Sequence, residues 1–424
     1  MRAIVAENGA GRFMTRSRAY RIVALLVSAW ILMPASFAQK RPEDPGDLTP
    51  ALRIPVDPLG FTAPSVFYLT YRMSSASLGF FDNDHLLFTF RVGGLLRRLP
   101  SDDNDDDDQQ IRAVVLDAHT GHVIRQAQWR MHDRAQYMWP WKEDKFLIRV
   151  RDQLFLTDDS LKLTPYLTFS DPIRSVLVAP DRSRMVVEVD EPQRPGPSLN
   201  GSDGPGAPRP VKVELVTPGS NQAVIITDAK GPVHVPVLGD GIVEVLEGKQ
   251  LGTWVARVVP FQGTPHIIAE IKSNCRPTAQ PVSASVALIM GCYQVADDRP
   301  VVAVTNDGQE LWQQRWGSRY IWGWFDFAQN GSRFAYESIE VKNPINAFDA
   351  LDPEDISRQM VGVYDTESGK LTFVRDATPV LTAGQNIALS PDGRRFAVLR
   401  QGAIEIYDLP PVSAPPRDHR GKAK

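Results

Sequence analysis

An all-β chain folded as a seven-bladed β-propeller, closed by an N-terminal strand, is what three features of this sequence predict. The first is a recurring unit: a run of β-formers, a polar turn built on Asp and Gly, then a second β-run. Its clearest copy is Ile387-Ala-Leu-Ser-Pro-Asp392-Gly393-Arg-Arg-Phe396-Ala-Val-Leu399, followed by Gly402 and Ile404-Glu-Ile-Tyr-Asp408. Weaker copies begin at Leu78, Val176 and Phe327. The second feature is the period: four short strands every ~40–60 residues is the spacing of propeller blades. The third is an arithmetic mismatch at the ends: the last repeat is one strand short, and a spare strand precedes the first.

Taken in order, residues 1–38 read as a signal peptide. Arg16, Arg18 and Arg21 precede the apolar run Ile22–Met33, and Ser36-Phe37-Ala38 supplies a small-x-small cleavage site. That run falls short of the ~20 apolar residues that span a bilayer, so no stable membrane span is expected. Met14 is an alternative start. Residues 39–65 read as a Pro/Asp-rich linker, and 66–409 as the propeller. Val66–Arg72 is the spare strand expected to complete the last blade and remove an open edge. The seven repeats follow at 78–124, 146–163, 173–216, 233–271, 282–316, 320–373 and 380–409. Three segments interrupt the period: the acidic run 101–108, the Pro/Gly/Ser-rich stretch 191–210 and residues 343–358, all read as rim loops. The tail 410–424 is Pro-rich, then basic, and expected to be disordered.

The turns Asp117-Ala-His-Thr120-Gly121, Asn306-Asp307-Gly308-Gln-Glu-Leu-Trp312 and Asp365-Thr-Glu-Ser368-Gly369 resemble strand-to-strand turns of the quinoprotein and WD-repeat propellers. Ser390-Pro-Asp392-Gly393 is similar to the equivalent turn of WD-like bacterial repeats. Quinoprotein blades carry a Trp four residues after the turn glycine. Trp312 obeys this, whereas Arg125 and Phe373 stand in the other two places. The resemblance spans about residues 66–409 and implies the fold; it transfers no catalytic residue.

The chain carries a net charge of −3, and loss of residues 1–38, with five Arg and one Glu, makes the remainder more acidic still. Nucleic acid is therefore not an expected partner, since phosphate binding needs a concentrated basic face. The expected location is exported, periplasmic or extracellular, and the expected state a monomer. Cys275 and Cys292 are the two cysteines; a bridge and two buried thiols both fit the sequence.

Few residues suggest chemistry. Placing Asp103, Asp105 and Asp107 as the first ligands of a calcium loop puts Asp108 where glycine is needed and Val114 where the bidentate Glu belongs, so that template fails. His119 and His122 splay from a tight turn and lack a third ligand in sequence. No nucleophile elbow, phosphate-binding glycine loop or zincin helix occurs, so no catalytic residue, metal or cofactor is nominated. The sharpest pattern is aromatic. Tyr137-Met-Trp139-Pro-Trp141 and Tyr320-Ile-Trp322-Gly-Trp324 share one spacing and fall on the first strands of blades two and six. Period two puts each trio on one face, either as packing between blades or as an aromatic mouth to the channel. These six residues are the candidate ligand-binding set. The function expected is non-enzymatic binding of a protein or glycan through one rim. The alternative is a propeller enzyme, either a lactonase-like metal-dependent hydrolase or a degenerate quinone-dependent dehydrogenase.

Overall fold

The computed structural model describes residues 48–63, 76–93, 108–132, 136–191, 210–220, 222–229, 234–292, 299–317, 320–343, 353–381 and 385–412. Seven antiparallel sheets make up the described chain, six of four strands and one of three. Together they form a seven-bladed β-propeller. Blade 1 spans 76–131, blade 2 138–168, blade 3 173–229, blade 4 241–272, blade 5 278–316 and blade 6 320–377. Blade 7 holds Ile387–Leu389, Arg395–Arg400 and Ala403–Asp408, with Leu52–Pro55 paired antiparallel to the last of these. In blade 4 the innermost position is a single bridge, Val237 to Ile242. Pro236 lies beside it, and proline cannot donate to a ladder.

The fourth strand of blade 7 therefore comes from within residues 39–65, the span read as linker. Val66–Arg72, the strand expected in that role, lies outside the described residues, as do residues 1–47 and most of the tail. Leu52–Pro55 escaped notice because four residues flanked by prolines carry almost no periodic signal. After it, Leu59 and Phe61 pack against blade 1, with the Phe61 ring 5.5 Å from Phe88 and 5.6 Å from Phe90.

The core consists of seven apolar clusters, one between each pair of neighbouring sheets. Strands bury both faces, which is why Val286–Met290 and Met185–Asp190 are buried at every position. The turn glycines fix how neighbouring blades dock. Trp312 of blade 5 lies over Gly369 of blade 6, and its Nε1 donates to the Thr366 carbonyl at 2.9 Å. Gly369 has φ +64°, and a Cβ there would meet the Trp312 ring at 2.5 Å, so glycine serves both the backbone and the contact. Among the described residues no helix is long and apolar enough to cross a membrane.

Cys275 and Cys292 flank the first two strands of blade 5 and pair with their Cα atoms 5.9 Å apart, inside the bridging range. Closing this loop of 17 residues constrains the unfolded chain by roughly 3 kcal/mol. Unfolded without reductant, the protein should label with no equivalents of a thiol reagent, and with two after reduction. Labelling of two thiols before reduction would show the pair unbridged.

Candidate functional site

Propeller geometry brings the first strand of every blade to the axis, and a cavity of ≈ 440 Å³ opens there. Its wall comes from six blades. Blade 2 supplies Gln136, Trp139 and Pro140, and blade 3 supplies 176–180 and Arg182. His234, Pro236 and Val237 come from blade 4, and 278–281 and Met290 from blade 5. Blade 6 gives 323–327 and blade 7 gives Gln385. A wall mostly aromatic and aliphatic with a few convergent polar groups is the usual composition of a small-ligand site.

The two aromatic motifs fall at the first strands of blades 2 and 6, but in blade 2 the trio does not share one face. In blade 2 the strand is Met138–Trp141, and Trp139 and Trp141 both point toward blade 3, packing with Leu147, Ile173 and Val176. Tyr137 precedes the strand and turns the other way. It is fully buried against blade 1, with its hydroxyl 2.7 Å from Thr89 Oγ1. Burial pushes the Tyr137 phenol up to about 12, with the Thr89 and Ser77 hydroxyls opposing. In blade 6 a bulge between Ile321 and Trp324 resets the alternation. Gly323 sits in that bulge because a Cβ would strike the Tyr336 ring at 2.3 Å. Trp139, 8% exposed, and the half-buried Trp324 line the cavity; Trp141, 3% exposed, and Tyr137 are not among its lining residues. The side chains of Tyr320 and Trp322 lie outside the described ones.

Three charged residues that carried no sequence motif dominate the electrostatics. Asp326 follows Trp324 on the same strand face and lines the cavity. Its Oδ2 accepts the Leu389 N–H of blade 7 at 2.5 Å. Burial raises this carboxyl to about 6, against the Leu389 N–H and the attraction of Arg182. Glu337 pairs with Trp324 across the ladder while Asp326 pairs with Ala335, so the two carboxylates are diagonal neighbours on one face. Glu337 is fully buried, and neither carboxylate oxygen has a partner among the described residues. Burial lifts its pKa well above the ordinary Glu value, and the Asp326 charge lifts it further. Arg182 lies in the turn after the first strand of blade 3, 3% exposed, with Nη1 unpartnered among the described residues. Burial lowers its pKa, opposed by Asp326 and Asp144.

The polar groups weighed and set aside from the sequence lie elsewhere. His119 holds Asp84 Oδ1 at 2.7 Å and contacts Arg395 on the surface. Asp108, the described end of the acidic run, pairs with Arg130, His132 and Arg151. Among the described residues no group of three or more His, Cys, Asp or Glu side chains is placed to hold a metal ion.

No protein family and no curated protein matches the sequence. The fold is similar to solved propellers at low identity. An oligogalacturonate lyase from Vibrio parahaemolyticus aligns over 80% of this chain and 90% of its own at 11% identity and a TM-score of 0.44. The C-terminal WD40 domain of Sif2 aligns over 86% and 99% at 10% identity and 0.41. The acylaminoacyl peptidase of Pyrococcus horikoshii aligns over 81% of this chain and 53% of its own at 11% identity and 0.46.

The raised carboxyls predict a pH dependence with a definite sign. Asp326 and Glu337 bind protons more tightly in the folded chain than in the unfolded one. Their contribution to stability is thus greatest in acid and falls as pH rises from near 4 through about 6, the folded value for Asp326. Asp326→Asn keeps an oxygen for the Leu389 N–H and removes the ionisation. Its melting temperature relative to wild type should climb between pH 4.5 and pH 8. A difference that stays flat across this range would contradict the assignment.

Proposed function

We propose that the protein is an exported, non-enzymatic binding propeller that captures a saccharide in its axial cavity, between Trp139 and Trp324. The observation that carries this reading is the composition of that wall. Two indole rings from blades on different sides of the axis offer flat apolar faces, and Gln136, Gln280 and Gln385 offer amides among them. Sugars present this combination in reverse, with C–H faces that stack on aromatic rings and hydroxyl edges that need donors and acceptors. The cavity's volume of ≈ 440 Å³ lies in the ordinary range for a small-ligand site.

One observation favours a second reading. A carboxyl near pKa 6 inside an aromatic cavity is suited to general acid catalysis, because proton transfer is most efficient when the pKa lies near the working pH. Asp326 would then be the acid of a hydrolase. Loss of bound oligosaccharide to shorter products, abolished by Asp326→Asn, would favour the enzyme over the binding protein.

The two tryptophans give the binding reading a split outcome. Trp139 is packed between blades 2 and 3, so Trp139→Ala should cost about 3–5 kcal/mol and lower the melting temperature clearly. Trp324 is only half-buried, so Trp324→Ala should leave the melting temperature nearly unchanged and weaken saccharide capture about tenfold or more. Oligosaccharide binding measured by calorimetry on both variants decides the matter. Binding by Trp324→Ala equal to wild type would remove the axial site from consideration.

A further inference from the structure

The turn that carries Arg182 is built like two others in the ring, with one substitution. In Ala328-Gln-Asn330-Gly331 and Ser390-Pro-Asp392-Gly393 the fourth residue donates its N–H to the carbonyl of the first, at 2.9 Å in both. Ala179-Pro180-Asp181-Arg182 closes in the same way at 2.8 Å. The side chain at the third position also behaves alike. Asn330 Oδ1 accepts from Ser332 N–H and Oγ at 3.0 and 2.7 Å, and Asp181 Oδ1 accepts from Ser183 N–H and Oγ at 3.0 and 2.7 Å. The fourth residue must be left-handed, and glycine takes φ +74° and +69° in the first two turns. Arg182 takes φ +60° instead. A residue with a Cβ is strained in that conformation, as at six other non-glycine positions among the described residues, so a further requirement has to come from the side chain.

The side chain suggests what the requirement is. A guanidinium is rarely buried without a carboxylate or phosphate opposite, because desolvating an unpaired charge is costly. Arg182 is 3% exposed, lines the axial cavity, and has no ion pair among the described residues. Asp326 and Asp144, the latter in the turn of blade 2, attract it, and Asp326 has its Oδ2 on the Leu389 N–H. Strained backbone, burial and a charge with no ion pair among the described residues all fall on one side chain at the wall of one cavity.

We propose that Arg182 is the anion-recognition residue of this cavity, and that the saccharide taken there carries a carboxylate or a sulfate. This rests on the saccharide reading given above and adds the charge class of the ligand. The planar fork of the guanidinium matches two oxygens of either anion in a bidentate pair, which a hydroxyl cannot offer. The rings of Trp139 and Trp324 would hold the sugar faces while Arg182 selects the acidic substituent.

Titration calorimetry of the purified protein with cellohexaose, a mannuronate hexamer and a sulfated heparin hexamer separates the outcomes. One of the two anionic oligomers should bind at least roughly tenfold tighter than cellohexaose, and which one does so names the source of the anion. Arg182→Gln should reduce that binding roughly tenfold or more and lower the preference for the anionic oligomer over cellohexaose by a similar factor. Arg182→Gly provides a readout that a structural role would not share. It relieves the left-handed strain and the buried charge, so its melting temperature should rise as anion binding is lost. A fall in melting temperature for Arg182→Gly would mark the side chain as structural and overturn the inference. Binding of cellohexaose alone, unaffected by Arg182→Gln, overturns it and leaves the saccharide reading standing. Binding of none of the three overturns both.

Discussion

Everything in this ring depends on each sheet burying both of its faces against neighbours. Seven interfaces are filled by seven apolar clusters, and the strands between them are hydrophobic at successive positions rather than alternate ones. Such an interior tolerates a polar side chain only where its hydrogen bonds are answered. Arg333 shows the answered case. Buried at 1% exposure, it donates to Asp365 Oδ1 at 3.1 Å, to the Gly393 carbonyl at 2.8 Å and to the Pro410 carbonyl, joining blade 6 to blade 7 and to the chain beyond it. Arg182 and Glu337 have the same burial and, among the described residues, lack the same answers. Both bury an ionisable group without an ion pair among the described residues.

The same packing leaves a ligand only three kinds of surface. The faces of the blades are consumed by contact, which leaves the inner strands, the rims and the outer edges. Two irregularities on the inner strands bear on the cavity. Blade 4 reduces its innermost strand to a bridge beside Pro236, and blade 6 bulges at Gly323. The bulge precedes Trp324 and Asp326, both of which line the cavity, and bulges commonly re-aim side chains next to sites.

The blade pattern was legible because turn chemistry is local. Asp-Gly and Asn-Gly pairs announce strand ends whatever surrounds them, and the seven repeats read from sequence coincide with the seven sheets. The aromatic site was half legible. Tyr137-x-Trp139-x-Trp141 marked the inner strand of blade 2, but parity holds only inside a regular strand, and Tyr137 precedes it. In blade 6 the bulge broke the count at Gly323. Arg182, Asp326 and Glu337 were missed because each is a single charge within a run that reads as ordinary strand or turn. A signal for Arg182 was present all the same. Aligning Ala179-Pro-Asp-Arg182 on Ser390-Pro-Asp-Gly393 puts an arginine where the turn asks for glycine. Glu337 gave a fainter one, as a carboxylate inside the β-run Arg333–Val341, but its lack of partners depends on how blades 6 and 7 meet.

The central claim is that the axis is a ligand site whose charge is set by Arg182. The most direct measurement is a crystal structure of the protein grown with an anionic oligosaccharide that it binds in solution. The account predicts density between Trp139 and Trp324 with two acidic oxygens within hydrogen-bond distance of the Arg182 guanidinium. Density on an outer rim or blade edge, with Arg182 untouched, would contradict it.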